Sequence, residues 1–262
     1  MIHLLSPAKS LDFDSKLPTE DFSMPQFIED SEKLINKLRK SSKKKLRELM
    51  SISEDLAQLN ADRYQSWTGK AELSDESRQA IFAFKGDVYL GLQALEELSP
   101  SDVDYAQSHL LILSGLYGIL KPKDLIEPYR LEMGTKLKVG RKDDLYSFWG
   151  YKLTAHINEA LKHHEEKVVI NLASNEYFKA VDPKKVEGKI IHPEFKDAKN
   201  GKYKFITFYG KKARGLMSRY LIKNQISNLE DIKGFDLEGY RYNAELSSED
   251  KPVFTREENQ AG

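Results

Sequence analysis

The chain has 262 residues, 40% of them apolar and 31% charged, and its 41 basic and 41 acidic side chains leave a formal net charge of zero. This is the make-up of a globular protein large enough to bury a sizeable core. It contains no cysteine, which excludes disulfides, thiolate nucleophiles, peroxidatic thiols and cysteine-ligated zinc or iron–sulfur centres.

In chain order, Met1–Leu5 reads as a short buried strand, followed by the loop SPAKSLDFD. Pro25 suits the first turn of a helix over residues 25–40, whose apolar face carries Phe27, Ile28, Leu34, Ile35 and Leu38. From Lys37 through Arg47 runs a basic stretch with seven cations and no acid, and helical segments continue to Trp67. Ser74 reads as an N-cap with helix behind it at 77–80. Residues 100–109 have Pro and Asp in the first turn of a helix, and Leu110–Leu113 is a short apolar run, strand or helix end. Asp143–His163 reads as one long helix, with Leu145, Phe148, Trp149, Leu153, Ile157, Ala160 and Leu161 on one face. Lys167–Leu172 is a β-branched strand, Asn175–Val181 a short helix, and Lys189–His192 and Lys202–Tyr209 are further strands. A helix over Lys211–Asn224 follows, and Arg241–Leu246 and Pro252–Arg256 are expected to pair as a terminal hairpin. Strands and helices alternate without a regular βαβ beat. The expected class is therefore irregular α/β, a mixed sheet with surrounding helices, in a single compact domain over 1–256 with a flexible tail at 257–262.

Neutral on average, the chain is locally polarised. Residues 199–223 hold eight cations (Lys199, Lys202, Lys204, Lys211, Lys212, Arg214, Arg219 and Lys223) and no acid. Such a cluster builds the potential that a phosphate backbone would see. In the helix beginning at Lys211, Ala213, Leu216, Met217, Tyr220 and Leu221 share a face. Lys212, Arg219 and Lys223 form a stripe beside it, facing outward on this reading, and the bland alternative is a solvated helix face.

Three other stretches carry chemistry. Ser114-Gly115-Leu116-Tyr117-Gly118, followed by Lys121 and Lys123, reads as a glycine hairpin between short helices, with backbone amides and lysines sharing one phosphate. In Ile126–Gly134, Glu127 and Glu132 flank Arg130, either as acid/base and clamp or as an internal ion pair, the latter favoured. Phe84-Lys85-Gly86-Asp87 offers a Lys–Asp pair with no nucleotide-binding motif around it. Ser6 and Lys9 have Ser-x-x-Lys spacing without the partner motifs an acyl-transfer enzyme needs. None of the six histidines has HExxH or Glu-x-x-His company, which argues against a metal centre or an iron store, and no cofactor is expected. The opening MIHLLSPAKS lacks a basic n-region and a long apolar core, and no stretch approaches the roughly 20 apolar residues of a span, so a cytoplasmic location without a membrane partner is expected.

SPAKSLD, FKGDVY, SGLYG, DLIEPYRLEMG, NLASNEYF and KKARGLMSR, in this order and spacing, resemble the YaaA family of bacterial peroxide-stress proteins from Met1 to about Phe254. The chain departs from that pattern at its acidic tail and at Ser10, where threonine is common. The resemblance implies a cytoplasmic protein of the hydrogen-peroxide response that limits iron-driven damage. It also implies DNA binding through a positively charged cleft with a helix-hairpin-helix element, and no established catalysis. Combined with the residue reading, the expected partner is duplex or branched DNA, bound through phosphates without sequence preference. The candidate contacts are Lys9, Lys85, Gly115, Gly118, Lys121, Lys123, Lys211, Lys212, Arg214, Arg219 and Lys223. The rival expectation is an enzyme acting on a base or nucleoside, with Asp87, Glu127 or Glu132 as acid/base and Arg130 as clamp. A third is an interaction protein whose basic face meets an acidic partner.

Overall fold

The structure, a computed structural model, describes residues 1–70 and 72–258. Its centre is β1 (Ile2–Leu5), buried throughout as an apolar run between parallel neighbours must be. β1 pairs in parallel with β2 (Leu110–Ser114) on one side and with β4 (Val168–Asn171) on the other. β3 (Gly118–Leu120) closes one edge antiparallel to β2, and β5 (Lys189–Ile191) the other edge parallel to β4, giving the order β3-β2-β1-β4-β5. A second sheet, β7-β6-β9-β8, is built from β6 (Glu194–Lys199), β7 (Lys202–Lys204), β8 (Arg241–Tyr242) and β9 (Val253–Arg256). The class is α/β with mixed sheets, and one buried apolar cluster runs from Ile2 and Leu4 to Phe195 and Phe254.

The helices that matter for the site are α1 (Ile28–Arg39), α2 (Lys43–Met50), α3 (Glu54–Ser66), α4 (Asp87–Leu92), α5 (Pro100–His109), α6 (Lys152–Lys162) and α7 (Thr207–Lys223). α5 starts as its sequence dictates, with Pro100 in the first turn and a capping box between Ser99 and Asp102. α7 packs on the central sheet, where Ser218 Oγ lies 2.9 Å from His3 Nε2 on β1. Burial holds the His3 imidazole down to about 3, so it is neutral in the native state.

Several elements differ from their sequence reading. The helix expected over 143–163 is broken: a short helix, Leu145–Trp149, stops at Gly150 (φ +50°), and α6 starts two residues later. The break turns Trp149 inward, where its Nε1 donates to Gly115 O at 3.0 Å. Ser74 caps no helix. It closes a tight turn with Ser77, after which Arg78–Gln79 pairs with Leu125–Ile126 and a helix occupies Ala80–Ala83. The strand expected over 202–209 ends at Lys204, and α7 begins at Thr207 with the Phe205 ring against Gly210. Of the terminal hairpin, only Arg241–Tyr242 pairs with β9. Of the tail expected at 257–262, residues 259–262 lie outside the described residues, while Glu257 accepts from Tyr203 and Glu258 from the Asn200 amide.

α7 crosses α4 at backbone contact. A Cβ on Gly215 would stand 1.7 Å from Val88 O, and one on Gly91 would stand 2.0 Å from Lys212 O. Only a bare Cα fits at either point. Gly215→Ala is expected to lower stability by at least ~1–3 kcal/mol, the ordinary cost of overpacking, because backbone and not a flexible side chain must yield. A urea midpoint unchanged from wild type would contradict this crossing.

Candidate functional site

Five of the six sequence motifs converge at the C-terminal ends of β1, β2 and β4. Ser6, just past β1, accepts from the Ser174 amide at 2.8 Å, and Tyr89 OH donates to Ser6 O at 3.1 Å. Ser114, the last residue of β2, lies 2.7 Å from Tyr129 OH. Gly115 lets the 126–134 segment pass, since a Cβ there would be 2.1 Å from Leu131 O. Gly134 N donates to Glu176 Oε1 at 2.9 Å, and Ala8 abuts Gly86. Burial raises the Tyr89, Tyr129 and Tyr177 phenols well above their ordinary range, so they remain protonated donors.

The four candidate catalytic residues have separate structural duties. The Glu127 carboxylate accepts from the amides of Thr68 (2.8 Å) and Gly69 (2.6 Å) and anchors that loop. Asp87 stands 3.2 Å from Lys211. Arg130 grips Glu132 Oε1 through Nε (3.2 Å) and Nη2 (3.0 Å), and Lys9 Nζ approaches the same oxygen at 3.4 Å, while the buried Oε2 has no hydrogen-bond partner among the described residues. The sequence's internal ion pair at Arg130–Glu132 is thus present. Among the described residues no group of three or more His, Cys, Asp or Glu side chains is placed to hold a metal ion.

The stretch read as a helix-hairpin-helix, Ser114–Lys123, is instead a β-hairpin, with β2 and β3 paired antiparallel. Its glycines are not exposed: Gly115 faces Leu131, and Gly118, at φ +71°, lies beneath Trp149 and Leu153. The apolar Leu110–Leu113 run pairs with β1 and fixes this outcome.

The basic helix α7 also differs from its reading. Arg219 does not face outward: it is 9% exposed, reaches Gln93 Oε1 and lies 3.8 Å from Glu97. Lys212 pairs with Glu238 at 2.6 Å, Lys211 with Asp87, and Lys223 donates to Glu97 O at 2.7 Å. Lys85 lies 3.5 Å from Asp12, whose carboxyl is held down to about 2, chiefly by the Ser15 amide. Lys123 pairs with Asp104 and Asp21. Of the candidate cationic contacts, Lys121 and Arg214 alone have no carboxylate within ion-pair distance among the described residues.

Among the described residues, unmatched charge lies on the exposed Lys199, Lys202 and Lys204 and, more densely, on the end of α1 and on α2. Lys37, Lys40, Lys43, Lys44, Lys45 and Arg47 are all exposed, and among the described residues none makes an ion pair. α2 is short and rigidly set. Ser42 caps it by accepting from Lys45 N, and Leu46 and Met50 are buried. Ser51 ends it in the left-handed conformation (φ 51°), Ile52 N bonds back to Arg47 O at 3.1 Å, and Ser53 caps α3. The seven-cation run was visible in the sequence. The further signal was the pair of serine caps bracketing one short helix.

These motifs meet at one end of an irregular α/β sheet. The chain matches, over residues 1–246, the family model described as Peroxide stress protein YaaA. It is 50% identical over 258 residues to a UPF0246 protein of Shewanella amazonensis (strain ATCC BAA-1098 / SB2B), an alignment covering 98% of this chain and 100% of the relative. The chain belongs to the peroxide stress protein YaaA family.

Glu132→Gln removes the charge that Arg130 and Lys9 share. The expected result is a loss of ~1–3 kcal/mol in stability, because a largely buried guanidinium is left without its counter-charge. Thermal melting checks this, and an unchanged melting temperature would mean the pair contributes nothing.

Proposed function

We propose that this peroxide-stress protein is a cytoplasmic DNA-binding protein that holds duplex or branched DNA through its phosphates, without sequence preference, and so helps limit iron-driven damage. The observation that carries the reading is the uncompensated cation surface of α1 and α2. An exposed lysine that already sits on a carboxylate gains little from a phosphate, whereas the six cations from Lys37 to Arg47 that are unpaired among the described residues release counterions when DNA docks. The α2–α3 pair, joined by Ser51–Ser53, is the element we assign to gripping the backbone. Glu54 and Asp55 occupy the first turn of α3 and compete there with any anion. The phosphate contacts therefore fall to the lysines of α2 and the end of α1. The absence of cysteine is consistent with protection by binding, since no thiol is present to reduce peroxide. The enzyme reading has less support, because Glu127, Asp87 and Glu132 each already hold an internal partner, Glu132 through Oε1 alone.

If about four to six phosphates are neutralised, affinity for a random duplex is expected to fall by about 10²–10³-fold between about 50 and about 200 mM monovalent salt. A gel-shift series across salt measures the slope. A flat dependence, or no complex at low salt, would remove DNA binding from this account.

A further inference from the structure

A second site lies apart from α1 and α2. A cavity of about 560 Å³ opens at the C-terminal end of β4, between that strand, the start of β6 and α7. Its place follows from the topology. The chain leaves β1 for β2 on one side and later adds β4 on the other, so the strand order reverses beside β1. The crevice outside the carboxyl ends of strands at such a reversal is where open α/β sheets take ligands.

The lining has the chemistry of an anion site with an aromatic lip. Arg214, Lys196 and Lys251 face one carboxylate, Glu194, which Lys196 already approaches at 3.4 Å. Arg214 has no hydrogen-bond or ion-pair partner among the described residues, although its neighbours on α7 are paired. Burial without a counter-charge lowers its pKa, the condition under which a bound anion is most welcome. The Asn171 amide donates to His192 Nδ1 at 3.2 Å, which leaves the imidazole proton on Nε2 and without a partner among the described residues. Asn175 adds a second amide to the wall.

Phe205 stands at the rim, 56% exposed, with its ring seated on Gly210, where a Cβ would come within 2.3 Å of Cε2. It belongs to a row of exposed aromatics, Tyr203 (38%), Phe205 and Phe208 (48%), interleaved with the exposed Lys202 and Lys204. Alternating rings and cations of this kind form the stacking platform of single-strand nucleic-acid binders.

We propose that this cavity takes one nucleoside monophosphate unit, its phosphate on Arg214 and its base stacked on Phe205. That unit is either a free nucleotide or an unpaired nucleotide of a DNA strand; only the second source rests on the DNA-binding reading above. The volume falls within the range of small-molecule sites and exceeds what a bare phosphate fills.

The test uses the full chain. Calorimetry with deoxyadenosine monophosphate, deoxyadenosine and inorganic phosphate is run on wild type, Arg214→Gln and Phe205→Ala. Gel shifts then compare an intact duplex with the same duplex carrying one unpaired adenine. Wild type is expected to bind the monophosphate more tightly than the nucleoside or phosphate alone, and each substitution to weaken it by about tenfold. Phe205 is exposed, so its variant keeps the test valid if Arg214→Gln fails to fold. A preference for the unpaired-adenine duplex that both variants lose identifies a strand nucleotide as the occupant. Monophosphate binding without that preference identifies a free nucleotide. No monophosphate binding, together with no variant-sensitive preference, overturns the proposal. Intact-duplex affinity, expected unchanged in both variants, separates that failure from a failure of duplex binding at α1 and α2.

Discussion

The crossing of α4 and α7 through Gly91 and Gly215 sets the electrostatic layout of the molecule. Because the two backbones touch, the cations of α7 are brought over the acids that flank α4: Lys211 over Asp87, and Arg219 and Lys223 over Glu97. Lys212 is met from another side by Glu238. A cation folded against the protein needs such a partner, since desolvating it alone is costly. Four of the five cations of α7 are thus matched where the helix packs. Lys37, Lys40, Lys43, Lys44, Lys45 and Arg47 meet no such acids among the described residues and keep their charge for the solvent.

A buried ion pair fixes the four-stranded sheet. Asp197 and Arg256, each 2% exposed, meet at 2.7 Å, with Tyr240 OH on the same carboxylate and the guanidinium between the Tyr209 and Tyr240 rings, 4.6 Å from each. Tyr209 belongs to α7, so this cluster ties the helix to β6 and β9.

Much of the fold was legible because it is locally encoded. The apolar run Ile2–Leu5, the β-branched Val168–Ile170, the periodic face of α1 and the Ser99-Pro100 start of α5 each carry their own signal. The failures are non-local. Gly150 was one glycine in a periodic pattern until Trp149 found Gly115 O, and Arg219 sat at the margin of an apolar face until Gln93 and Glu97 closed over it. The Ser114–Gly118 turn was read as a turn, and the open choice of strand or helix end at Leu110–Leu113 falls to strand through pairing with β1, some hundred residues earlier. Of the candidate site, the residues were legible but their solvent access was not. Charge runs are written in the sequence, while the acids that cancel them arrive from distant segments.

The central claim is that exposure to phosphate follows from pairing within the fold. Two double variants with the same change in net charge decide it: Lys44→Glu with Lys45→Glu, and Lys211→Glu with Lys212→Glu, each measured for duplex affinity at low salt and for thermal melting. The account predicts that the α2 pair loses at least about tenfold in affinity and melts as wild type does, while the α7 pair loses melting temperature and, where folded, keeps most of its affinity. Equal loss of affinity in both, or loss only in the α7 pair, would contradict it.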